Sequence, residues 1–263
     1  MDIHFFEEFP SRENLEKTKL LTFPSTLYIA AKSVAEFRAL EKEVSQINPK
    51  IKLAYWPLLT KSYWISPFSY TDELQTLYTD LCKNKGKQKL TILLDLELPT
   101  LRPKLFFTNF FSFRKNKKLI RTFFEDSEKL NIEILTAEFP VSNKVLQSIL
   151  QNLGISYSLE KYSHKRIIMF YSSMIKYPLI LSTIKRHITS QAPKLKDSLQ
   201  VGLGTIAMGI KGNEPILKPD KLEQDLLFCQ ENKIGTVVLF RLGGLDEEYL
   251  KVLRKFVPEN KKT

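Results

Sequence analysis

The sequence predicts a single closed (β/α)8 barrel over residues 1–263, and two observations lead to this prediction. Eight short runs of β-branched, leucine and aromatic residues alternate along the chain with segments of helical spacing. The total of 263 residues is close to the roughly 250 residues that eight such units need. An open doubly wound sheet is the structural alternative, but no Gly-rich dinucleotide loop follows the first strand, and we predict no cofactor.

Most of the predicted strands are apolar at both odd and even positions. This pattern is typical of strands that are covered on both faces, as in a barrel surrounded by helices. The strands are predicted at residues 3–9, 26–31, 51–57, 90–97, 132–139, 166–173, 200–206 and 235–243.

Helical segments follow the strands, with apolar residues three or four positions apart. Their apolar faces lie within residues 34–47, 74–81, 119–130, 145–153, 222–227 and 249–256. Gly154 is predicted to end one helix as a left-handed cap, and Asp220 and Asp246 to cap the starts of the last two. The first unit is thin, because residues 11–21 are few for a barrel helix.

The formal net charge of +11 indicates a solvated lysine-rich surface rather than a nucleic-acid footprint, because the lysines are spread along the chain. No stretch approaches the roughly 20 apolar residues that span a bilayer, so we predict no membrane partner. Cys82 and Cys229 lie far apart in helical segments, and the N-terminus lacks the features of an export signal. These features predict a cytoplasmic protein with reduced thiols, unless a leader peptide precedes the sequence.

In such a barrel, the functional residues are expected at the C-terminal ends of the strands. The polar and aromatic residues predicted there are Glu7, Glu8, Tyr55, Trp56, Asp95, Glu97, Glu138, Tyr171, Ser172 and Arg241. Because Glu7 and Glu8 are adjacent, only one of them can face the mouth. The pattern does not choose between them, and Glu8 is taken as the candidate.

Asp95 and Glu97 lie on one face of the fourth strand, because side chains alternate with a period of two. Two carboxylates this close cannot both ionise cheaply, so the pKa of one is expected to rise. A protonated carboxyl beside a second carboxylate is the chemistry of glycoside hydrolysis. Glu97 is the candidate acid, and Asp95 and Glu138 are the candidate partner carboxylates. The alternative is structural: Glu97 bonds Arg102 or a lysine, and Glu138 ends a strand in a polar turn.

Aromatic residues near the same strand ends predict a carbohydrate substrate. Trp56 and Trp64, with Tyr55, offer flat apolar faces for sugar rings. Tyr171 and Arg241 are candidates for supporting polar contacts.

The residues Asp95-Leu96-Glu97 on strand four and Met169-Phe170-Tyr171 on strand six resemble the chitinase-like barrels of glycoside hydrolase family 18. The strand-four motif of that family reads D-x-x-D-x-D-x-E, and a strand-six M-x-Y supplies a tyrosine. The resemblance implies that Glu97 is the acid, that Asp95 orients the N-acetyl group of the substrate, and that Tyr171 supports it. Leu90 and Leu93 stand where the motif has its earlier acids, and Ser172 stands where an aspartate would follow the tyrosine.

Two other classes of function stay open. Gly243 and Gly244, with Arg241, follow the eighth strand in the position where many barrels bind a phosphate, which would fit an enzyme acting on a sugar phosphate. A barrel that binds a carbohydrate or a partner without catalysis would explain the leucines in the acid motif.

The phenylalanine-rich residues 104–118 lie after strand four. We expect an extra amphipathic helix buried against the barrel; a lid, a partner surface or an RNA-stacking segment are the alternatives. The three histidines, His4, His164 and His187, have no metal-binding spacing, and we predict no metal.

Overall fold

A computed structural model describes residues 1–84, 86, 88–141 and 143–258, and it contains the predicted barrel. The strands are all parallel neighbours in chain order, and β8 pairs with β1 to close the barrel. They are β1 (Asp2–Glu7), β2 (Ser25–Ala31), β3 (Ile51–Pro57), β4 (Leu90–Asp95), β5 (Ile132–Glu138), β6 (Lys165–Phe170), β7 (Leu199–Gly204) and β8 (Thr236–Phe240). The predicted fold class is therefore confirmed.

Helices follow the strands as the spacing predicts. They are α1 (Arg12–Glu16), α2 (Val34–Ile47), α3 (Thr71–Lys83), α4 (Leu105–Thr108), α5 (Phe113–Glu125), α6 (Lys144–Leu153), α7 (Pro178–Leu195), α8 (Pro219–Glu231) and α9 (Glu247–Arg254). The thin first unit is the short α1, which continues as a 3-10 turn. No helix in the described part of the chain is both long and apolar enough to cross a membrane.

Packing divides the chain into two compact units that interleave in sequence. Unit 1 consists of Met1–Tyr28, Glu41–Leu53 and the described residues from Ile167 onward. Unit 2 consists of Ile29–Leu40 and Ala54–Arg166. Each unit is therefore built from separate stretches of sequence and not from one continuous half of the chain.

Local chemistry fixes the helix ends. Gly154 ends α6 in the left-handed conformation (φ 72°), and the Asp246 side chain caps α9 by accepting from the N–H of Glu248 and of Tyr249. Both predictions are confirmed. The predicted Asp220 cap is wrong, because α8 begins at Pro219, whose fixed φ suits the first helical position.

Gly244 allows a close approach between the segments that follow β7 and β8. A Cβ at this position would lie 1.9 Å from the carbonyl oxygen of Ile206. We expect Gly244→Ala to lower the free energy of unfolding by about 2–3 kcal/mol, because the backbone must shift to admit the methyl group. Chemical denaturation measures this change.

Gly235→Ala is the matched control, since nothing lies within 4 Å of a Cβ there. It should change the free energy of unfolding by no more than roughly 0.5 kcal/mol. Equal effects of the two substitutions would show that the close approach at Gly244 is unimportant for stability.

Candidate functional site

Asp95 and Glu97 lie at the C-terminal end of β4. Asp95 is buried beside Ala137 of β5, and Glu97, two residues further, is half-buried. The opposite face of β4 carries Ile92, Leu94 and Leu96, which are fully buried. The alternation of side chains therefore places Asp95 on the other face of β4, and Glu97 stays predicted on that same face.

The segment after β3 (residues 58–70) runs directly beside these acids. Ile65 forms a parallel bridge with Leu96, and its N–H donates to the carbonyl oxygen of Asp95 at 3.2 Å. Trp64 directly precedes Ile65, so the bridge holds Trp64 next to the end of β4. Its indole packs edge to face against Tyr63 at 5.4 Å between ring centroids.

The half-buried Glu73 of α3 and the buried Asn116 of α5 hold this segment in place. The Glu73 carboxylate accepts from the backbone N–H of Lys61 and of Ser62 and from the Ser62 hydroxyl. The Asn116 amide donates to the carbonyl oxygens of Pro67 and Ser69. Sequence reasoning missed Asn116 because it lies among lysines, although its spacing to Ile120 and Phe123 marks the buried face of α5.

The two predicted tryptophans lie in the same unit as the acids. Tyr55 of β3 pairs with Ile92 of β4, which places the next residues, Trp56 and Leu93, side by side on the face that carries Asp95. Trp56 and Trp64 are both buried. They can form the walls of a cleft, but they expose little ring surface for stacking.

Tyr55 itself points the other way, towards the helices. Its ring packs against Phe37 of α2 at 5.3 Å, and burial raises the pKa of its hydroxyl well above the ordinary value. Although Tyr55 was predicted to contact substrate, it lies in the layer between β3 and the surrounding helices.

Glu138 also lies on the helix-facing side of its strand. Its carboxylate accepts hydrogen bonds at 2.8 Å from Thr136 and from Ser156, and the Nε of Arg166 lies 3.1 Å away. All four side chains of this group are shielded from water. The contacts made by Glu138 are those of a buried structural ion pair, which leaves Asp95 as the candidate partner carboxylate of Glu97.

Glu7 and Arg241 form a second buried pair, in unit 1. The Glu7 carboxylate accepts from the N–H of Phe9, from Asn14, from Nη1 of Arg241 at 3.1 Å and from the N–H of Gly243 at 2.7 Å. Burial raises the pKa of Glu7, and the charge of Arg241 partly offsets this increase. Glu7 thereby ties the end of β1 to the turn after β8.

A phosphate site after β8 would use the N–H groups of Gly243 and Gly244 and the guanidinium of Arg241. All three already bond within the protein. The Gly243 N–H donates to Glu7, and the Gly244 N–H donates to the carbonyl oxygen of Arg241. Arg241 also donates from Nε to the carbonyl oxygen of Met208. A phosphate at this turn would have to replace internal hydrogen bonds.

Glu8 follows Glu7 at the end of β1, and Tyr171 follows β6. Their side chains lie on the strand faces that point away from the contacts of Glu7 and Arg241. The Tyr171 ring packs on Phe240 at 5.8 Å, and Phe240 packs on Phe6 at 6.1 Å. The Glu8 carboxylate is buried close to Gly209, where a Cβ would lie 2.9 Å from its Oε2. Glu8, and not Glu7, therefore continues the interior face of β1.

Sequence reasoning also missed Asp225 of α8. Its carboxylate accepts a hydrogen bond from Ser172, which follows Tyr171. Burial raises the pKa of Asp225, and the bond from Ser172 opposes that increase. Ser172, which stands where the chitinase-like barrels have an aspartate, thus donates to an acid of α8.

His164 precedes β6 and is buried against Phe124, with ring centroids 5.3 Å apart. Burial lowers the pKa of His164 to about 4, and the charge of Arg166 adds to this effect. Its ordinary pKa of about 6.5 applies in the unfolded chain, so protonation favours unfolding below that pH.

Among the described residues, no group of three His, Cys, Asp or Glu side chains could hold a metal ion.

We expect stability to fall by up to about 3 kcal/mol through His164 as the pH drops from about 6.5 to about 4. The difference in unfolding free energy between these two pH values should shrink by that amount in His164→Gln. Thermal and chemical denaturation across the range measure it. His187→Gln, at a half-exposed position of α7, should keep the wild-type pH dependence; an unaltered dependence in His164→Gln would contradict the assignment.

No protein-family model matches the sequence, and no curated protein matches it. Solved structures do share the fold. The glycoside hydrolase domain of PgaB (BpsB) from Bordetella bronchiseptica is 12% identical over 99% of each chain, with a TM-score of 0.57. A GH18 chitinase from Pseudoalteromonas aurantia is 10% identical over 98% of this chain and 100% of that chain, with a TM-score of 0.60.

A barrel of different activity is similar to a comparable degree. The D-allulose 3-epimerase from Methylomonas sp. is 10% identical over 98% of each chain, with a TM-score of 0.54. Identities this low show a shared fold and not a shared activity. The resemblance to chitinase-like barrels is therefore confirmed at the level of the fold.

Proposed function

We propose that the protein is a glycoside hydrolase-like barrel that cleaves a carbohydrate with Glu97 as general acid and Asp95 as partner carboxylate. One observation supports the proposal: Asp95 ends β4 as a buried residue, and Glu97 follows two residues later and is partly open to solvent. The C-terminal strand end is where barrel enzymes place their catalytic groups.

The different exposures of the two acids fit two different roles. Glu97 is accessible enough to reach a glycosidic oxygen, and it donates its proton to that oxygen as the bond to the anomeric carbon breaks. Asp95 lies behind it as the group that stabilises the positive charge developing on the sugar. Water then adds to the anomeric carbon and returns a proton to Glu97. The resemblance to family 18 adds the expectation that this charge acts through an N-acetyl group, which makes amino-sugar oligomers the first substrates to test.

The other predicted residues take supporting roles in the proposal. Trp56 and Trp64 lie in the same unit as the two acids and shape the wall beside β4. Glu138, Tyr55 and Arg241 stabilise the strand ends from the helix-facing side, as their contacts indicate. The test is whether the folded protein releases new reducing ends from oligosaccharides, and whether Glu97→Gln stops that release.

A sugar-phosphate enzyme is not the preferred alternative. The Arg241 guanidinium and the two glycine N–H groups after β8 already bond within the protein. The remaining alternative is a barrel that binds carbohydrate without cleaving it. Binding without release of reducing ends would identify that alternative.

A further inference from the structure

The phenylalanine-rich segment after β4 is only partly buried. Phe106 and Phe113 pack against Phe68, at 4.8 and 5.1 Å between ring centroids, and fix the segment to unit 2. The other three rings point outward: Phe107 is 83% exposed, Phe110 66% and Phe111 95%. The expected buried helix is therefore anchored by two phenylalanines and presents three others to its surroundings.

Positive charge surrounds these exposed rings. Residues 98–124 contain seven lysines and arginines and no aspartate or glutamate. Arg114, Lys115 and Lys118 are exposed on α5, directly after the rings. Phe107, Phe110, Phe111, Arg114, Lys115 and Lys118 are named the aromatic–basic surface.

An uncovered apolar helix lies next to this surface. None of the residues of α6 is buried, and Val145, Leu146 and Ile149 are exposed although their spacing predicts a buried face. The ammonium of Lys117 in α5 donates to the carbonyl oxygen of Asn152 in α6, so the two helices are in contact. Val145, Leu146 and Ile149 thus add exposed aliphatic groups to the exposed phenylalanines of unit 2.

We propose that the aromatic–basic surface docks peripherally on an anionic lipid bilayer. Phenylalanine and aliphatic side chains enter the boundary between headgroups and acyl chains, and lysine and arginine attract anionic lipids. No membrane-spanning helix is needed, so this proposal revises only the expectation that the protein has no membrane partner. It does not depend on the proposed hydrolase activity.

The composition of the surface favours a bilayer over other partners. A symmetric contact with a second copy would bring two sets of cations together, and residues 98–124 contain no acid to compensate them. Single-stranded nucleic acid stacks its bases on aromatic rings, but Val145, Leu146 and Ile149 offer no ring for stacking. A bilayer accepts rings, aliphatic groups and cations together.

Sedimentation with large unilamellar vesicles tests the proposal. The wild-type protein should sediment with vesicles of phosphatidylglycerol and phosphatidylcholine, should stay in solution with phosphatidylcholine alone, and should be released by salt. The variant Phe107→Ser/Phe110→Ser/Phe111→Ser should bind at least about tenfold more weakly, because the inserted apolar groups are lost. These positions are exposed, so its circular dichroism and Tm should match those of the wild type.

Two charge variants separate a specific surface from general attraction. Arg114→Gln/Lys115→Gln/Lys118→Gln should lose binding to anionic vesicles, and Lys42→Gln/Lys52→Gln/Lys89→Gln, with the same change in net charge at other exposed lysines, should keep it. Equal losses in both variants, or no sedimentation of the wild type, would overturn the proposal. So would a dimer, or binding to a single-stranded oligonucleotide, that the phenylalanine variant abolishes while vesicle binding persists.

Discussion

Glu97→Gln is expected to reduce oligosaccharide hydrolysis by about a hundred- to ten-thousandfold, the range that a positioned general acid contributes. Glutamine keeps the size of the side chain but has no proton to give to the leaving oxygen. The position is half-buried, so the fold should tolerate the change. Rates of reducing-end release, together with oligosaccharide affinity and Tm, separate the loss of chemistry from a loss of binding or folding.

Two further variants complete this experiment. Asp95→Asn should also reduce the rate, because the partner charge is lost. Glu128→Gln makes the same chemical change at an exposed position and should leave the rate unchanged. A Glu97→Gln protein that hydrolyses as fast as the wild type would contradict the role of this residue.

Arg166→Met is expected to lower the free energy of unfolding by about 3–5 kcal/mol, since it leaves a buried carboxylate without its cation. Arg166 lies 3.1 Å from Glu138, and both side chains are almost completely buried. It also donates to the carbonyl oxygen of Tyr157, a contact that methionine cannot replace. Chemical denaturation at neutral pH measures the change.

Lys165→Met is the matched control in the same strand. Lys165 pairs with Glu133 of β5 at 2.9 Å, but both side chains are substantially exposed. Such pairs contribute no more than about 1 kcal/mol, because water screens them. Similar losses in Arg166→Met and Lys165→Met would show that burial does not set the importance of the Glu138 pair.

The barrel was predictable because strands and helices have different periods. Both faces of each strand are apolar, and this pattern identified the eight strands. Because both faces are apolar, the sequence does not show which face points into the barrel. Tyr55 and its neighbour Trp56 are both buried, and so are Glu138 and its neighbour Ala137. Only the contacts with Phe37 and with Arg166 show that Tyr55 and Glu138 face the helices.

Residues that act through tertiary contacts left weak signals or none. Asn116 is fully buried within a run of lysines, and its role depends on a segment about 50 residues earlier. Gly243 and Gly244 fit a phosphate loop by sequence. Their lack of side chains is explained instead by Arg241 and Asn14 beside Gly243 and by Ile206 beside Gly244. The acids at the end of β4 gave a clearer signal, because they stand at a strand end and two residues apart, which predicts that both share one face.

Mass spectrometry of oligosaccharides incubated with the wild-type protein in water enriched in oxygen-18 tests the central claim most directly. Amino-sugar oligomers should be included first, with neutral oligosaccharides beside them. Hydrolysis at the Asp95–Glu97 site predicts shorter products that carry one heavy oxygen at the new reducing end, and Glu97→Gln should not form them. Oligosaccharides that stay intact with the folded wild-type protein would contradict the account.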